Sequence, residues 1–175
     1  MPKVFRLGLV ILILVSCTGC DRVTKSIAKA SLAASPPVSL LNDVVRFEYT
    51  ENPGAFLGLG SGLPGDVRFL LLVVFAGTSL LLTLALIVRA RSSGLGPLIG
   101  LSLLASGGVG NLLDRIFNNG AVIDFVRLGS GCIRTGVFNL ADVAIMAGVA
   151  MLLVSSAAEM RRGPPEVKTD VQDAS

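Results

Sequence analysis

Two short segments, Ala121-Val122-Ile123-Asp124-Phe125 and Phe138-Asn139-Leu140-Ala141-Asp142, each set a carboxylate against strongly apolar sequence. An Asp at the centre of a membrane helix is disfavoured by roughly 2.5 to 3.5 kcal/mol on insertion scales, and one at the edge by less. Carboxylates kept at that cost are expected to do chemistry. Two of them close together do not both ionise easily, so their pKa values separate and an acid and a base coexist near neutrality. Asp124 and Asp142 thus meet the electrostatic requirement of an aspartic protease pair.

Other polar residues gather around them. Asn111 with Asp114 and Arg115, and Asn139 with Asp142, stand three or four residues apart and share helical faces. An interhelical hydrogen-bond cluster with an Asp–Arg pair would account for that spacing by itself. It does not account for Asp21 with Lys25, or for Asn52 in the turn Asn52-Pro53-Gly54, which the topology below places on the same side. Convergence of this kind suggests a site.

Histidine is absent and there are three cysteines. A Ser-His-Asp or Cys-His unit needs imidazole, and a four-ligand Cys/His zinc site needs more ligands than exist, so neither metal nor cofactor is expected. Cys17 and Cys20 have CxxC spacing but lie in an apolar run, where they read as small buried apolar residues. Cys132 has no assigned role. The net charge of +3 is scattered, and no nucleic-acid surface is expected.

The elements that position this cluster are apolar. Of 175 residues 52% are hydrophobic and 15% charged, with a mean hydropathy of +0.76, too apolar for an ordinary water-soluble domain. The runs Val4–Cys20, Phe69–Val88, Leu95–Leu113 and Val137–Ala158 each come near the roughly 17 to 25 residues needed to cross a bilayer core. The expected fold class is an all-α membrane protein with four transmembrane helices in residues 1–162, followed by a disordered cytoplasmic tail, 163–175. The first run follows Lys3 and Arg6, and Leu14-Val15-Ser16-Cys17 looks like a lipoprotein processing box. Because further spans follow and Asp21 and Lys25 lie just beyond, it is expected to remain as an uncleaved helix.

Lys3 and Arg6, Arg89 and Arg91, and Arg161 and Arg162 fall on one side of a chain that crosses four times. The positive-inside rule makes that side cytoplasmic, with both termini. Residues 21–68 and 114–136 then lie outside. The first of these offers one or two strands over Val38–Thr50, and the second a strand over Ala121–Leu128 led by the turn signal Asn118-Asn119-Gly120. These segments are expected to pair as a small sheet on the membrane surface. In the third run, Ser106 to Gly110 has the small-xxx-small spacing that lets membrane helices approach closely.

The motifs Asp21-Arg22-Val23-Thr24-Lys25, Glu51-Asn52-Pro53-Gly54-Ala55-Phe56, Gly107-Gly108-Val109-Gly110-Asn111-Leu112-Leu113-Asp114-Arg115, Val122-Ile123-Asp124-Phe125 and Phe138-Asn139-Leu140-Ala141-Asp142 stand in one order. In that order and spacing, over residues 1 to about 160, the chain resembles the lipoprotein signal peptidases (signal peptidase II). The resemblance implies four helices with a small extracytoplasmic β cradle in a bacterial inner membrane. It implies cleavage of prolipoproteins just before a diacylglyceryl-modified cysteine, with membrane lipid as the other partner, and a monomer is expected. Asp124 and Asp142 match the catalytic pair. Asn111, Asp114 and Arg115 match the third-helix motif, Asn52 and Gly54 the first-loop motif, Asp21 and Lys25 the first-helix motif, and Asn139 the partner of the second aspartate. Ala55-Phe56-Leu57 departs in having one alanine where many members have two.

From the residues alone two other readings stay open. Lys25 beside Ser26 could form a Ser/Lys protease unit, although helix neighbours point in different directions. Asp114, Asp124 and Asp142 could be relay groups of a small transporter or proton channel, which predicts charges spread through the membrane depth.

Overall fold

A computed structural model of the protein describes residues 2–54, 62–89 and 94–161. The apolar runs form α1 (Lys3–Leu32), α2 (Gly65–Arg89), α3 (Leu95–Phe117) and α4 (Leu140–Arg161), each long and apolar enough to cross a membrane. Helix α1 continues past Cys20 to Leu32, so the segment expected to leave the membrane at Asp21 starts as helix. Asp21, Lys25 and Ala28 continue one buried stripe at helical spacing, and nothing breaks the helix until Ser35-Pro36-Pro37. Its 30 residues reach about 45 Å, beyond a bilayer core of about 30 Å. Conversely α4 starts at Leu140, not Val137, because Phe138 bridges to a strand and Asn139 caps the helix.

Helix α3 packs against the other three. Its Leu98, Leu101 and Ala105 form the apolar core with Val10 and Ile87. The small residues permit backbone contact with α4: a Cβ on Gly107 would collide with the Ala141 carbonyl oxygen, and one on Gly148 would sit 2.6 Å from the Gly100 carbonyl oxygen. Elsewhere the helices present bulky apolar side chains outward, among them Leu12, Phe75, Leu81 and Val154, a surface suited to lipid.

The expected strands form and pair. Strands β1 (Val38–Leu40), β2 (Val45–Asn52), β3 (Val122–Ser130) and β4 (Ile133–Arg134) make one antiparallel sheet in that order. Val45 lies opposite Leu128, Thr50 opposite Asp124 and Asn52 opposite Val122, with a bulge between Phe47 and Thr50. The turn signal before β3 is realised, with Asn119 and Gly120 at φ 51° and 89°. Between β1 and β2, Leu41, Asn42 and Asp43 take φ of 53°, 53° and 68°. A left-handed Leu costs about 1–2 kcal/mol. Asp43 holds this turn by accepting from Ser39 and pairing with Arg46 at 2.9 Å and with Arg134. The expected tail at 163–175, Arg91, Arg162 and Ala55-Phe56-Leu57 lie outside the described residues.

Candidate active site

The first turn of α4 is built by two of the candidate residues, Asn139 and Asp142. Asn139 Oδ1 accepts the Asp142 N–H at 2.9 Å, and Asp142 Oδ2 accepts the Asn139 N–H at 3.2 Å. This reciprocal capping box satisfies two donors at the helix start. A third donor, the Ala141 N–H, goes to Asp21 Oδ1 of α1 at 2.9 Å.

Asp124 reaches the same place from β3. Its Oδ1 accepts Asn139 Nδ2 at 2.6 Å and its Oδ2 accepts Asn52 Nδ2 at 3.1 Å. The strand register sets the second contact, because Asn52 is the diagonal neighbour of Asp124 across β2 and β3. Asp142 Oδ1 accepts Asn111 Nδ2 from α3 at 2.9 Å. Every oxygen of the two carboxyls therefore faces an N–H donor.

Each of the three amides is oriented by a group that can only donate. Asn52 Oδ1 accepts the Gly54 N–H at 3.0 Å, Asn139 Oδ1 accepts the Asp142 N–H, and Asn111 Oδ1 accepts the Lys25 ammonium at 3.1 Å. With their oxygens occupied in this way, all three turn an NH2 group to a carboxyl. Asn139 Nδ2 also meets the Ile123 carbonyl at 3.2 Å and Asn111 Oδ1 at 3.3 Å.

Asp124 is 2% exposed. Burial pushes its carboxyl up to about 6, helped by the charge of Asp142 and opposed by the hydrogen bonds from Asn52 and Asn139 and the charge of Lys25. Arg115 borders the pair, donating to the carbonyls of Asn111 and Gly54 at 3.3 Å each, while its buried Nε meets no acceptor among the described residues.

Beneath lies a buried charge cluster. Lys25, 1% exposed, pairs with Asp21 at 2.9 Å and Asp114 at 2.8 Å, and Arg22 also pairs with Asp114. Asp114 Oδ2 accepts the Ile123 N–H at 3.2 Å, tying β3 to α3 beside Asp124. Gly110 makes room, since a Cβ there would sit 2.6 Å from Asp21 Oδ2.

All the site residues read from the sequence fall in this one network: Asp21, Lys25, Asn52, Gly54, Asn111, Asp114, Arg115, Asp124, Asn139 and Asp142. Asp21, Lys25 and Asp114 brace the elements, whereas Asn52, Asn111 and Asn139 bond to the carboxyl pair. The spacing of the polar residues does not point to Arg22, the second cation on Asp114. The signal available was charge balance, because Asp21 and Asp114 are two buried carboxylates and Lys25 is a single cation.

Ser26 faces outward and donates to the Arg22 carbonyl at 2.8 Å, while Lys25 turns inward, so no Ser/Lys unit forms. Asp114, Asp124 and Asp142 gather at one end of the bundle instead of spreading through its depth, unlike a relay. Cys17 is only half-buried, at the edge of the packed stripe seven residues from Val10 and four from Asp21, and Cys20 is exposed off that stripe, which corrects the expectation of burial: α1 packs on one face only. Cys132 is exposed on the sheet. Among the described residues no group of three or more His, Cys, Asp or Glu is placed to hold a metal ion.

The family profile described as signal peptidase (SPase) II matches residues 12–158. The lipoprotein signal peptidase of Syntrophomonas wolfei is 38% identical over 136 residues, covering 77% of this chain and 83% of that one. That of Chlorobium phaeobacteroides is 33% identical over 142 residues, covering 77% and 81%. That of Streptomyces griseus is 33% identical over 141 residues, and the match takes in 78% of this chain and 66% of the longer relative. Two bacterial membrane enzymes solved by the in meso method share the fold. The one at 2.3 Å has a TM-score of 0.73 at 24% identity, covering 91% of this chain and 93% of that one. The one at 1.9 Å has a TM-score of 0.66 at 25% identity, covering 85% and 92%.

Proposed function

The chain belongs to the signal peptidase II family, a family of proteases, and from that premise we propose that it is an aspartic endopeptidase of prolipoproteins. It cleaves the signal peptide just before the diacylglyceryl-modified cysteine. The observation that carries this reading is the carboxyl pair bridged by Asn139, with an N–H donor facing each oxygen.

In the proposed reaction one carboxylate takes a proton from water, which attacks the scissile carbonyl. The other, protonated, gives its proton to the carbonyl oxygen; as the C–N bond breaks, the first passes the proton it took from water to the leaving amine and the second regains one from a hydroxyl of the tetrahedral intermediate. No covalent enzyme intermediate forms. Burial and the charge of Asp142 push the Asp124 carboxyl up to about 6, toward the neutral form that one member of an acid–base pair needs. The half-buried Arg115, with donor capacity to spare at its buried Nε, is placed to stabilise charge developing on the carbonyl oxygen.

The chain is a multi-pass membrane protein of bacterial type. We place it in the inner membrane as a monomer, with both termini in the cytoplasm and the pair at the extracytoplasmic surface. Only that surface offers both the lipid-anchored cysteine and the attacking water. The substrate's acyl chains then lie in the bilayer or between helices, contributing about 0.8 kcal/mol per buried CH2.

The test is cleavage of a purified diacylglyceryl-modified prolipoprotein by the wild type, Asp124→Asn and Asp142→Asn, resolved by gel shift. Loss of cleavage in both folded variants is the expected result. Cleavage retained by either overturns the pair, and none by the folded wild type overturns the substrate assignment.

A further inference from the structure

Both turns of the sheet meet at the end away from Asp124. The β1–β2 turn and the β3–β4 turn are joined there by the hydrogen bond from the Gly129 N–H to the Val44 carbonyl, 2.9 Å, and by Arg134 donating to the Asp43 carbonyl at 3.2 Å. Leu40, Leu41, Val44, Leu128 and Ile133 are all exposed at this end, Leu41 at 74% and Ile133 at 84%. A rigid turn that holds a left-handed Leu outward is an odd thing to set in water.

Three observations say what covers it. The sheet packs beside the last turns of α1, past the length that a bilayer core accommodates, which is headgroup depth. An apolar groove of about 320 Å³, lined by Ile27, Leu32, Val38 and Phe47 among others, joins the sheet to the outward apolar face of α1, so the patch is continuous with the membrane-facing surface. Arg46 and Arg127 are cross-strand partners on the sheet face opposite Leu40, Leu128 and Ile133, and with Arg134 they pair with Asp43 and Glu48, so the charges stand on one face and the apolar patch on the other.

We propose that this end of the sheet is a membrane anchor, with Leu41 and Ile133 entering the headgroup–acyl boundary of the bilayer on the site side and the arginine-bearing face turned to water. The occupant is phospholipid of the surrounding bilayer. The substrate's lipid is a poor candidate, because Leu128 lies four residues along β3 from Asp124, about 13 Å at the strand rise. Anchored there, the sheet holds Asp124 at a fixed height. The inference rests on the membrane-spanning fold and not on the peptidase reading, so it is tested without substrate.

Leu41→Cys and Ile133→Cys, each in full-length chain with Cys17, Cys20 and Cys132 replaced by Ser, are labelled with an environment-sensitive fluorophore in phosphatidylcholine–phosphatidylglycerol nanodiscs. The expected result is a blue-shifted emission, quenched by lipids with a doxyl group near the headgroup and shielded from iodide. Emission typical of water, quenched by iodide and not by doxyl lipid, overturns the proposal and points to a protein partner or to open solvent. The wild type gives a second readout through native Cys132 in the same turn. Its alkylation in nanodiscs by a water-soluble maleimide, followed by mass spectrometry, is expected to be far slower than that of free glutathione, and equal rates would overturn the anchor.

Discussion

The ammonium of Lys25 donates to Asn111 Oδ1 at 3.1 Å and so turns the nitrogen of that amide toward Asp142, 2.9 Å away. A cation that does not bond to the carboxyl pair thus decides which atom one member of the pair sees.

Lys25→Met removes that orientation and leaves Asp21 and Asp114 buried with less compensation. Breaking buried ion pairs typically costs about 3–5 kcal/mol, so a large drop in thermal unfolding temperature is expected along with lost cleavage. Asn111→Leu spares both ion pairs of Lys25. It should cost only about 1–3 kcal/mol through the unpaired Asp142 oxygen while still lowering cleavage. Unfolding scans in detergent beside cleavage rates separate the two.

Asp124→Asn and Asp142→Asn keep the side-chain shape, and each puts an NH2 group where the wild type has an acceptor facing a donor. The expected loss of stability is about 1–3 kcal/mol. The expected loss in kcat is at least about 100-fold, the lower range for general acid–base groups. Helical content by circular dichroism should be unchanged.

The raised carboxyl of Asp124 makes stability depend on pH in a definite sense. Its folded pKa, about 6, lies above the ordinary 3.8, so the folded state binds the proton more tightly. Its relative stabilisation is complete below 3.8 and is lost as pH rises through 6. About two pKa units correspond to about 3 kcal/mol. Asp124→Asn lacks this dependence, so its unfolding temperature relative to wild type should rise as pH is taken from about 4 to about 7. A constant difference would contradict the assigned burial effect.

Gly107→Ala drives a methyl group into the Ala141 carbonyl, and Gly110→Ala into Asp21 and the Cβ of Ala141. Overpacking of this kind costs about 1–3 kcal/mol, and parting α3 from α4 also draws Asn111 from Asp142. Both variants should lose thermal stability and cleavage. Gly108→Ala should behave as wild type, its Cβ meeting only Leu80 Cδ1 at 3.9 Å.

Much of this was legible in the sequence, for physical reasons that differ by element. Hydropathy locates the spans because the bilayer acts on every residue of them, and alternation with Asn118-Asn119-Gly120 locates β3. The end of α1 was not legible, because Asp21 and Lys25 read as the edge of a membrane segment until Asp114 and Ala141 come from distant parts of the chain to satisfy them. Strands β1 and β4, of 3 and 2 residues, are too short to show a period. The choice of site residues came from motif order. What order could not supply is which amide atom faces which carboxyl, since that follows from Gly54, Asp142 and Lys25 acting as donors across the fold.

Asp21 and Ala141, joined by one hydrogen bond, lie 120 positions apart in the chain. A ribosome delivers the first long before the second. Until the last of the described spans threads into place, Asp124 has neither its companion carboxyl nor the amide that bridges the two, so the pair is the last part of the molecule to be assembled.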